Sequence, residues 1–243
     1  MSLKFLPKSM LQAVDMLPEA SVPVTLFTRH SIREIVEGQG LAGYDLQLTE
    51  TGRDLAQEWG SYLIENTDRI IRHCISSPIQ RCVDTAALMI QGADQISNYE
   101  NTHHIEIIEQ GLLVEPGSFV LDIHQAGPFF QKQGALGFIN SFVNNALPGM
   151  KHPIRGVIDV LELIYNTHPK QKNGLSLAVS HDTILAAIIA VISGQTQINQ
   201  ADWPKMMEGL FVWFEGDEFM DSKLKWIWRG QCHELLIRDF KMN

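Results

Sequence analysis

The sequence predicts an α/β fold, a three-layer α/β/α sandwich with a mostly parallel central sheet and a lid insertion. Short apolar runs rich in β-branched residues alternate with segments of helical periodicity, which is typical of β-α-β units. Three of these runs end in polar residues, and each is followed along the chain by a helical segment. The stretch at about 118–150 breaks the alternation with glycine and proline. We therefore expect one domain over residues 1–243, with the lid insertion at about 118–150.

Composition narrows the classes of partner. The chain has 243 residues, of which 45% are hydrophobic, enough for one well-buried domain. The net charge is −9 and the sequence has no Lys/Arg block, which argues against binding to nucleic acid or to an anionic membrane. The three cysteines have no zinc-binding spacing, and no metal or other cofactor is expected. Composition therefore argues against these two classes of partner, and the sequence leaves the oligomeric state open.

No segment of the sequence has the pattern of a membrane anchor. No apolar run reaches the ~18 residues that a transmembrane helix needs, and the N-terminus has no long apolar region. Cytoplasmic localisation is the expectation, although the Met1-Ser2-Leu3 start leaves a removed signal peptide open.

The first third of the chain predicts a helix, a strand and a longer helix. Weak helical periodicity runs from about 4 to 16 and stops before Pro18. The apolar, β-branched run at about 22–28 predicts a buried strand. Thr49 is a plausible N-cap for a helix whose apolar positions keep helical spacing over about 49–65.

Two further strands flank the next helix. The run at 69–76 predicts a short strand, and Ser77-Pro78 is expected to open a helix with proline in its first turn. A third strand is expected at about 104–109.

The second half predicts helices on either side of one more buried strand, then an edge hairpin. Helical periodicity and apolar content give the following segments: helices near 135–146, 154–167 and 182–193, a strand at 174–180, and two strands around 211–214 and 225–228. The tryptophans of this half, Trp203 among them, are assigned to packing.

The polar strand ends predict a site. In a sheet whose main strands are parallel, the carboxyl ends lie along one rim, where open α/β sheets bind their ligands. That rim would gather six side chains: Arg29, His30, Arg33, Arg81, His181 and Asp182. Guanidiniums can hold phosphoryl oxygens, one imidazole can attack phosphorus, and a carboxylic acid can protonate the leaving oxygen. The pattern therefore favours phosphoryl transfer to a histidine.

Four motifs in order resemble the histidine phosphatase superfamily over roughly residues 22–193. They are Arg29-His30-x-x-Arg33, Leu48-Thr-x-x-Gly52-x-x-x-Ala56, Ser77-Pro-x-x-Arg81-x-x-x-Thr85-Ala86 and Ser180-His181-Asp182. The resemblance implies a metal-independent phosphomonoester hydrolase acting on a small phosphorylated substrate. It also implies a role for each matching residue: His30 as the nucleophile, and Arg29, Arg33, Arg81 and His181 as the phosphate pocket.

Two departures from the family pattern matter. Ser31 stands where the family usually has glycine, and its side chain is expected to narrow the pocket or to bind the phosphate. The proton donor has two candidates. Asp182, favoured here, is similar to the donor of the acid phosphatase and phytase branch, whereas Glu115 is similar to that of the phosphoglycerate mutase branch; Glu109 is a more remote candidate.

Parts of the same motif pattern would also fit three alternatives to phosphomonoester hydrolysis through a histidine. A phosphoglycerate-mutase-like phosphotransferase and a non-catalytic phosphate-binding module would share the motifs. A cysteine-phosphatase loop at Cys74 to Arg81 is rejected because it has six intervening residues instead of five. One of the six is Pro78, which has no N–H to offer a phosphate.

Overall fold

The fold is built on a central sheet, seen in a computed structural model that describes residues 2–35, 43–96, 105–114 and 117–240. The described strands are β1 (Val24–Arg29), β2 (Ile70–Ser76), β3 (Ile107–Glu109), β4 (Gly174–Ser180), β5 (Gly209–Glu215), β6 (Lys223–Trp228) and β7 (Gln231–Leu236). They form a seven-stranded sheet in the order β3-β2-β4-β1-β5-β6-β7. β1 to β4 pair in parallel, while β5 to β7 add an antiparallel meander beside β1.

Helices cover both faces of this sheet. They are α1 (Lys8–Asp15), α2 (Glu50–Thr67), α3 (Gln80–Asp94), α4 (Ile123–Val143), α5 (Pro153–Thr167) and α6 (Asp182–Ile192). Successive side chains of a strand point to opposite faces. Leu26 accordingly packs with α1 to α3, and Phe27 packs with α4 to α6. The predicted α/β/α sandwich is confirmed.

The helix after β2 begins later than expected. It starts at Gln80, so Pro78 lies before the helix and not in its first turn. The reason is that Ser77 continues the strand, with its N–H bonded to the carbonyl of Val179 (2.9 Å). By contrast, the N-cap prediction for α2 is confirmed, because the Thr49 hydroxyl accepts a hydrogen bond from the N–H of Gly52 (3.0 Å).

The segment proposed as a lid contains a longer helix than predicted. α4 already begins at Ile123, where the Asp122 carboxylate accepts the N–H of His124 (2.9 Å). A kink at Gly134 (φ 67°) divides α4, a conformation that glycine adopts readily. The second half of α4 and Phe119 are buried in the core on this face, with the rings of Phe119 and Phe142 stacked 4.7 Å apart. The segment therefore contributes to the core, and its role as a lid stays a prediction.

The C-terminal edge has one strand more than predicted. β6 and β7 are joined at Arg229 (φ 44°) and Gly230 (φ 75°), so that two consecutive left-handed residues make the tight turn of a hairpin. Because Arg-Gly is not one of the strong hairpin signals, the sequence does not predict β7. Across the described ranges, no helix combines the length and the apolar character needed to cross a membrane.

Candidate active site

The carboxyl ends of β1, β2 and β4 meet at one rim, as their polar end residues predict. Arg29 is paired with Ser180, and Ser76 with Val179, so the three strands end at the same level. The N–H of His30 donates to the carbonyl of Ser180 (3.0 Å), which fixes the start of the loop after β1. The rim thus brings His30 and His181 together, with ring centroids 5.7 Å apart at an interplanar angle of 71°.

His30 is buried, with 2% of its surface exposed, and one of its ring nitrogens forms a hydrogen bond to the backbone. Nδ1 lies 2.8 Å from the carbonyl oxygen of Ser31. A carbonyl only accepts, so Nδ1 carries the proton and Nε2 keeps its lone pair. Burial, followed by the charges of Arg29, Arg81 and His181, holds the pKa of His30 well below its ordinary value, against a weaker opposing effect of the Ser31 carbonyl. A neutral imidazole with a free Nε2 is the form that can act as a nucleophile.

His181 is also held neutral. Its Nδ1 accepts a hydrogen bond from Nη2 of Arg81 (3.2 Å), because a guanidinium only donates. Its Nε2 then carries the proton and donates to the hydroxyl of Ser77 (2.8 Å). Burial lowers the pKa of His181 to about 3, with further contributions from the charges of Arg81, Arg29 and Arg33. The side chain of Ser77, which the sequence suggested as a helix cap, therefore orients a pocket histidine.

Three guanidiniums surround the two imidazoles. Arg81 is 1% exposed and donates through Nη1 to the carbonyl of Gly43 (2.9 Å). Arg29 donates through Nη1 to the carbonyl of Pro204 (2.8 Å), and its buried Nε has no hydrogen-bond partner among the described residues. Arg33 donates to the carbonyl of Glu34 (2.8 Å) and is one of the charges that lower the pKa of His181. This excess of positive charge suits a bound anion with several oxygens.

Asp182 lies at the same rim as the first residue of α6. Its Oδ2 is 2.7 Å from Nη2 of Arg29, and both side chains are mostly buried. The same oxygen accepts a hydrogen bond from the indole Nε1 of Trp203 (3.1 Å), and Oδ1 accepts one from the N–H of Thr183 (2.9 Å). Of the predicted residues, Arg29, His30, Arg81, His181 and Asp182 are joined by these contacts. The other carboxyl candidate, Glu115, lies outside the described residues, and Glu109 is exposed at the end of β3.

Ser31 does not serve the pocket in the way expected. Its hydroxyl donates to the carbonyl of Gly52 at the start of α2 (2.7 Å), and its N–H donates to the hydroxyl of Thr85 on α3 (3.0 Å). With the hydroxyl committed to that carbonyl, the side chain is directed towards α2. Ser31 therefore fastens the loop to two helices and orients His30 through its own carbonyl.

Two further features of the site could not be predicted. Trp203 and Pro204 reach it from a loop that has no motif, and no sequence signal separates this tryptophan from those that only pack.

The cysteine alternative finds no support in the structure, because burial raises the pKa of the Cys74 thiol to about 12. A thiol is a poor nucleophile compared with the thiolate. Among the described residues, no group of three or more His, Cys, Asp and Glu side chains could hold a metal ion.

Comparisons with known proteins bear on the family and the fold. A family model described as the histidine phosphatase superfamily (branch 1) matches residues 25–112, and the resemblance seen in the sequence is confirmed. No curated protein matches the chain.

Solved structures share the fold at low identity. A mycobacterial glucosyl-3-phosphoglycerate phosphatase is 14% identical with a TM-score of 0.55, over 85% of this chain and 98% of that one. A phosphoglycerate mutase from Bacillus anthracis is 16% identical with a TM-score of 0.52, over 79% and 89%. A phosphoserine phosphatase mutant from Entamoeba histolytica, in complex with phosphoserine, is 17% identical with a TM-score of 0.51, over 79% and 91%. These similarities show the fold, in a set that includes both phosphatases and a mutase.

Proposed function

We propose, from its likeness to the histidine phosphatase superfamily, that this chain hydrolyses small phosphomonoesters through a phosphohistidine intermediate on His30. The observation that carries the proposal is the state of His30: it is buried, neutral, and bonded through Nδ1 to the Ser31 carbonyl. The surrounding guanidiniums supply the positive charge that phosphoryl transfer needs.

In the first step, Nε2 of His30 attacks phosphorus in line, and the bond between phosphorus and the ester oxygen breaks. A carboxylic acid gives its proton to the leaving oxygen, so that the alcohol departs neutral. The imidazole becomes a phosphorylated imidazolium, whose Nδ1–H remains bonded to the carbonyl of Ser31. Arg29, Arg33 and Arg81 hold the phosphoryl oxygens, and His181 completes the pocket.

In the second step, water attacks phosphorus and the bond between phosphorus and Nε2 breaks. The carboxylate left from the first step takes a proton from that water, and His30 returns to its neutral form. The products are inorganic phosphate and the free enzyme.

Asp182 is the carboxyl that we propose as the donor. Its contact with Arg29, the residue directly before His30, supports this assignment because it places the carboxyl at the edge of the pocket. Glu115 remains the alternative. A mutase would use the same first step and return the phosphoryl group to a second hydroxyl, so phosphate release distinguishes hydrolysis from transfer.

The donor is tested by changing the leaving group. Asp182→Asn and Glu115→Gln are compared on an alkyl phosphate and on p-nitrophenyl phosphate. Loss of the true donor should lower kcat/KM by about 10²–10⁴-fold on the alkyl phosphate. The loss on p-nitrophenyl phosphate should be small, since nitrophenolate leaves without a proton. A severe, selective loss in the Glu115 variant alone would reassign the donor, and equal losses on both substrates would count against either residue.

A further inference from the structure

Both carboxylate oxygens of Asp182 accept hydrogen bonds. Its Oδ2 receives one hydrogen from Arg29 and one from Trp203, and its Oδ1 receives the N–H of Thr183. Hydrogen bonds and a cation directed at a carboxylate disfavour its protonation. A general acid must nevertheless carry a proton when the ester bond breaks, so one of these contacts has to change when substrate binds.

Arg29 is the contact that substrate can remove. Its guanidinium is placed beside His30, where the phosphoryl group would be bound, and its Nη2 is at present on Asp182. Its Nε is buried without a hydrogen-bond partner among the described residues, so the fork has a donor to spare. A phosphate dianion is a stronger competitor for a guanidinium than a single carboxylate oxygen, since it offers more oxygens and more charge.

Trp203 is the contact that remains. Its carbonyl accepts a hydrogen bond from Nη2 of Arg229 (3.2 Å). Arg229 in turn forms two hydrogen bonds, each 2.9 Å long, with the buried carboxylate of Glu208. The next residue, Pro204, holds Arg29 through its carbonyl. The contacts with Arg229 and Glu208 therefore anchor the loop of Trp203 without involving Asp182 or a substrate.

We propose that Trp203 is a positioning residue for the proton donor: it holds the Asp182 carboxyl in place while Arg29 is transferred from that carboxyl to the substrate phosphate. The inference rests on the proposed function. Loss of the cation lets Asp182 take a proton from solvent before the chemical step, and the indole N–H keeps the carboxyl oriented towards the leaving oxygen. Phosphate binding and protonation of the donor are thereby coupled.

Other charged groups around α6 do not replace this pair. The pocket, the loop of Trp203 and the helices packed against α6 carry these titratable or charged groups: Arg29 on β1, His30 and His181 in the pocket, Asp202 and Lys205 beside Trp203, His124 and Lys132 on α4, and Arg155, Asp159 and Glu162 on α5. Within the described part of the chain, Arg29 is the group in this set that forms an ion pair with Asp182. The coupling therefore depends on Arg29 and Trp203.

The test is the leaving-group dependence of kcat/KM in Trp203→Phe. Loss of the hydrogen bond that orients the carboxyl should lower kcat/KM about 10-fold or more on an alkyl phosphate, whose leaving oxygen needs the proton. On p-nitrophenyl phosphate the loss should be small, because nitrophenolate leaves without a proton. Trp226→Phe is the matched control, since Trp226 is buried and its indole N–H has no hydrogen-bond partner among the described residues.

A second measurement does not depend on turnover. Carboxyl carbon NMR of Asp182 with inorganic phosphate as the probe should show a change in the Asp182 signal on phosphate binding, in the unmodified protein and in Trp203→Phe. Equal losses on both substrates in Trp203→Phe, or an Asp182 signal that is unchanged by bound phosphate, would overturn the inference. Absence of phosphate release from every phosphomonoester would instead refute the proposed function, and the NMR arm would still decide the coupling.

Discussion

At the residue scale, the backbone carbonyl of Ser31 determines which nitrogen of His30 is available. Three hydrogen bonds bear on this residue: its carbonyl accepts from His30, its N–H donates to Thr85, and its hydroxyl donates to Gly52. The last is the contribution of a serine where the family usually has glycine. The side chain ties the loop that carries His30 to α2, and in the proposed mechanism the arginines alone hold the phosphate.

Buried neutral histidines make stability depend on pH. Burial lowers the pKa of His168 to about 4, with a smaller contribution from the charge of Arg69, against the opposing effect of a hydrogen bond to the backbone carbonyl of Pro23. The pKa of His181 is about 3. Between these values and the ordinary histidine pKa of about 6.5, the unfolded chain binds protons that the folded chain does not. The free energy of unfolding should therefore fall as pH is lowered from 7 to 5, by up to about 1.4 kcal/mol per pH unit for each such histidine.

Urea unfolding at pH 7, 6 and 5 measures this slope, and His168→Gln isolates one contribution. His168 is bonded to Thr25 through Nδ1 (2.8 Å) and takes no part in the pocket. The variant should lose stability at pH 7 and show a shallower slope than the unmodified protein. An identical slope in both proteins would show that His168 is not held neutral in the folded state.

At the scale of elements, two glycines set the distance between α2 and α3. A Cβ on Gly60 would overlap the carbonyl oxygen of Met89, and a Cβ on Gly92 would overlap that of Gln57. The two helices are therefore in backbone contact, and α3 carries Arg81 from this position to the rim. Gly60→Ala should push the helices apart and lower the free energy of unfolding by about 1–3 kcal/mol. It should also lower kcat/KM, because Arg81 moves with α3.

Gly127→Ala is the control for this prediction. Gly127 lies inside α4, and an added Cβ would meet only Ile123, at 3.9 Å. The change should alter the free energy of unfolding by less than about 1 kcal/mol, because the backbone entropy gained by replacing glycine is offset by the restriction that Pro128 places on the residue before it. The denaturant midpoints of the two variants measure these stability changes. Equal stability changes would mean that contact between the helices is not what requires glycine at position 60.

For the whole molecule, parallel strand order is what makes the site predictable from sequence. Polar residues after buried strands converge because neighbouring parallel strands end at one rim, and so Arg29, His30, Arg81, His181 and Asp182 could be grouped before the fold was known. The position of Trp203 could not be predicted, because the path of its loop depends on Arg229, 26 residues further along the chain, and on the bond of Arg229 to Glu208. The same limit applies to α4, where Gly127 and Pro128 indicate a break that the burial of Ala126 and Phe130 overrides.

The proposed function requires that His30 carries the phosphoryl group during turnover. Enzyme mixed with a phosphomonoester and quenched in alkali, where phosphohistidine survives, should show by mass spectrometry one added phosphoryl group on the peptide that contains His30. His30→Ala should lack that modification and release no phosphate above background, while keeping its fold by circular dichroism. A phosphoryl group on another residue, or normal turnover by His30→Ala, would contradict the assignment of His30 as the nucleophile.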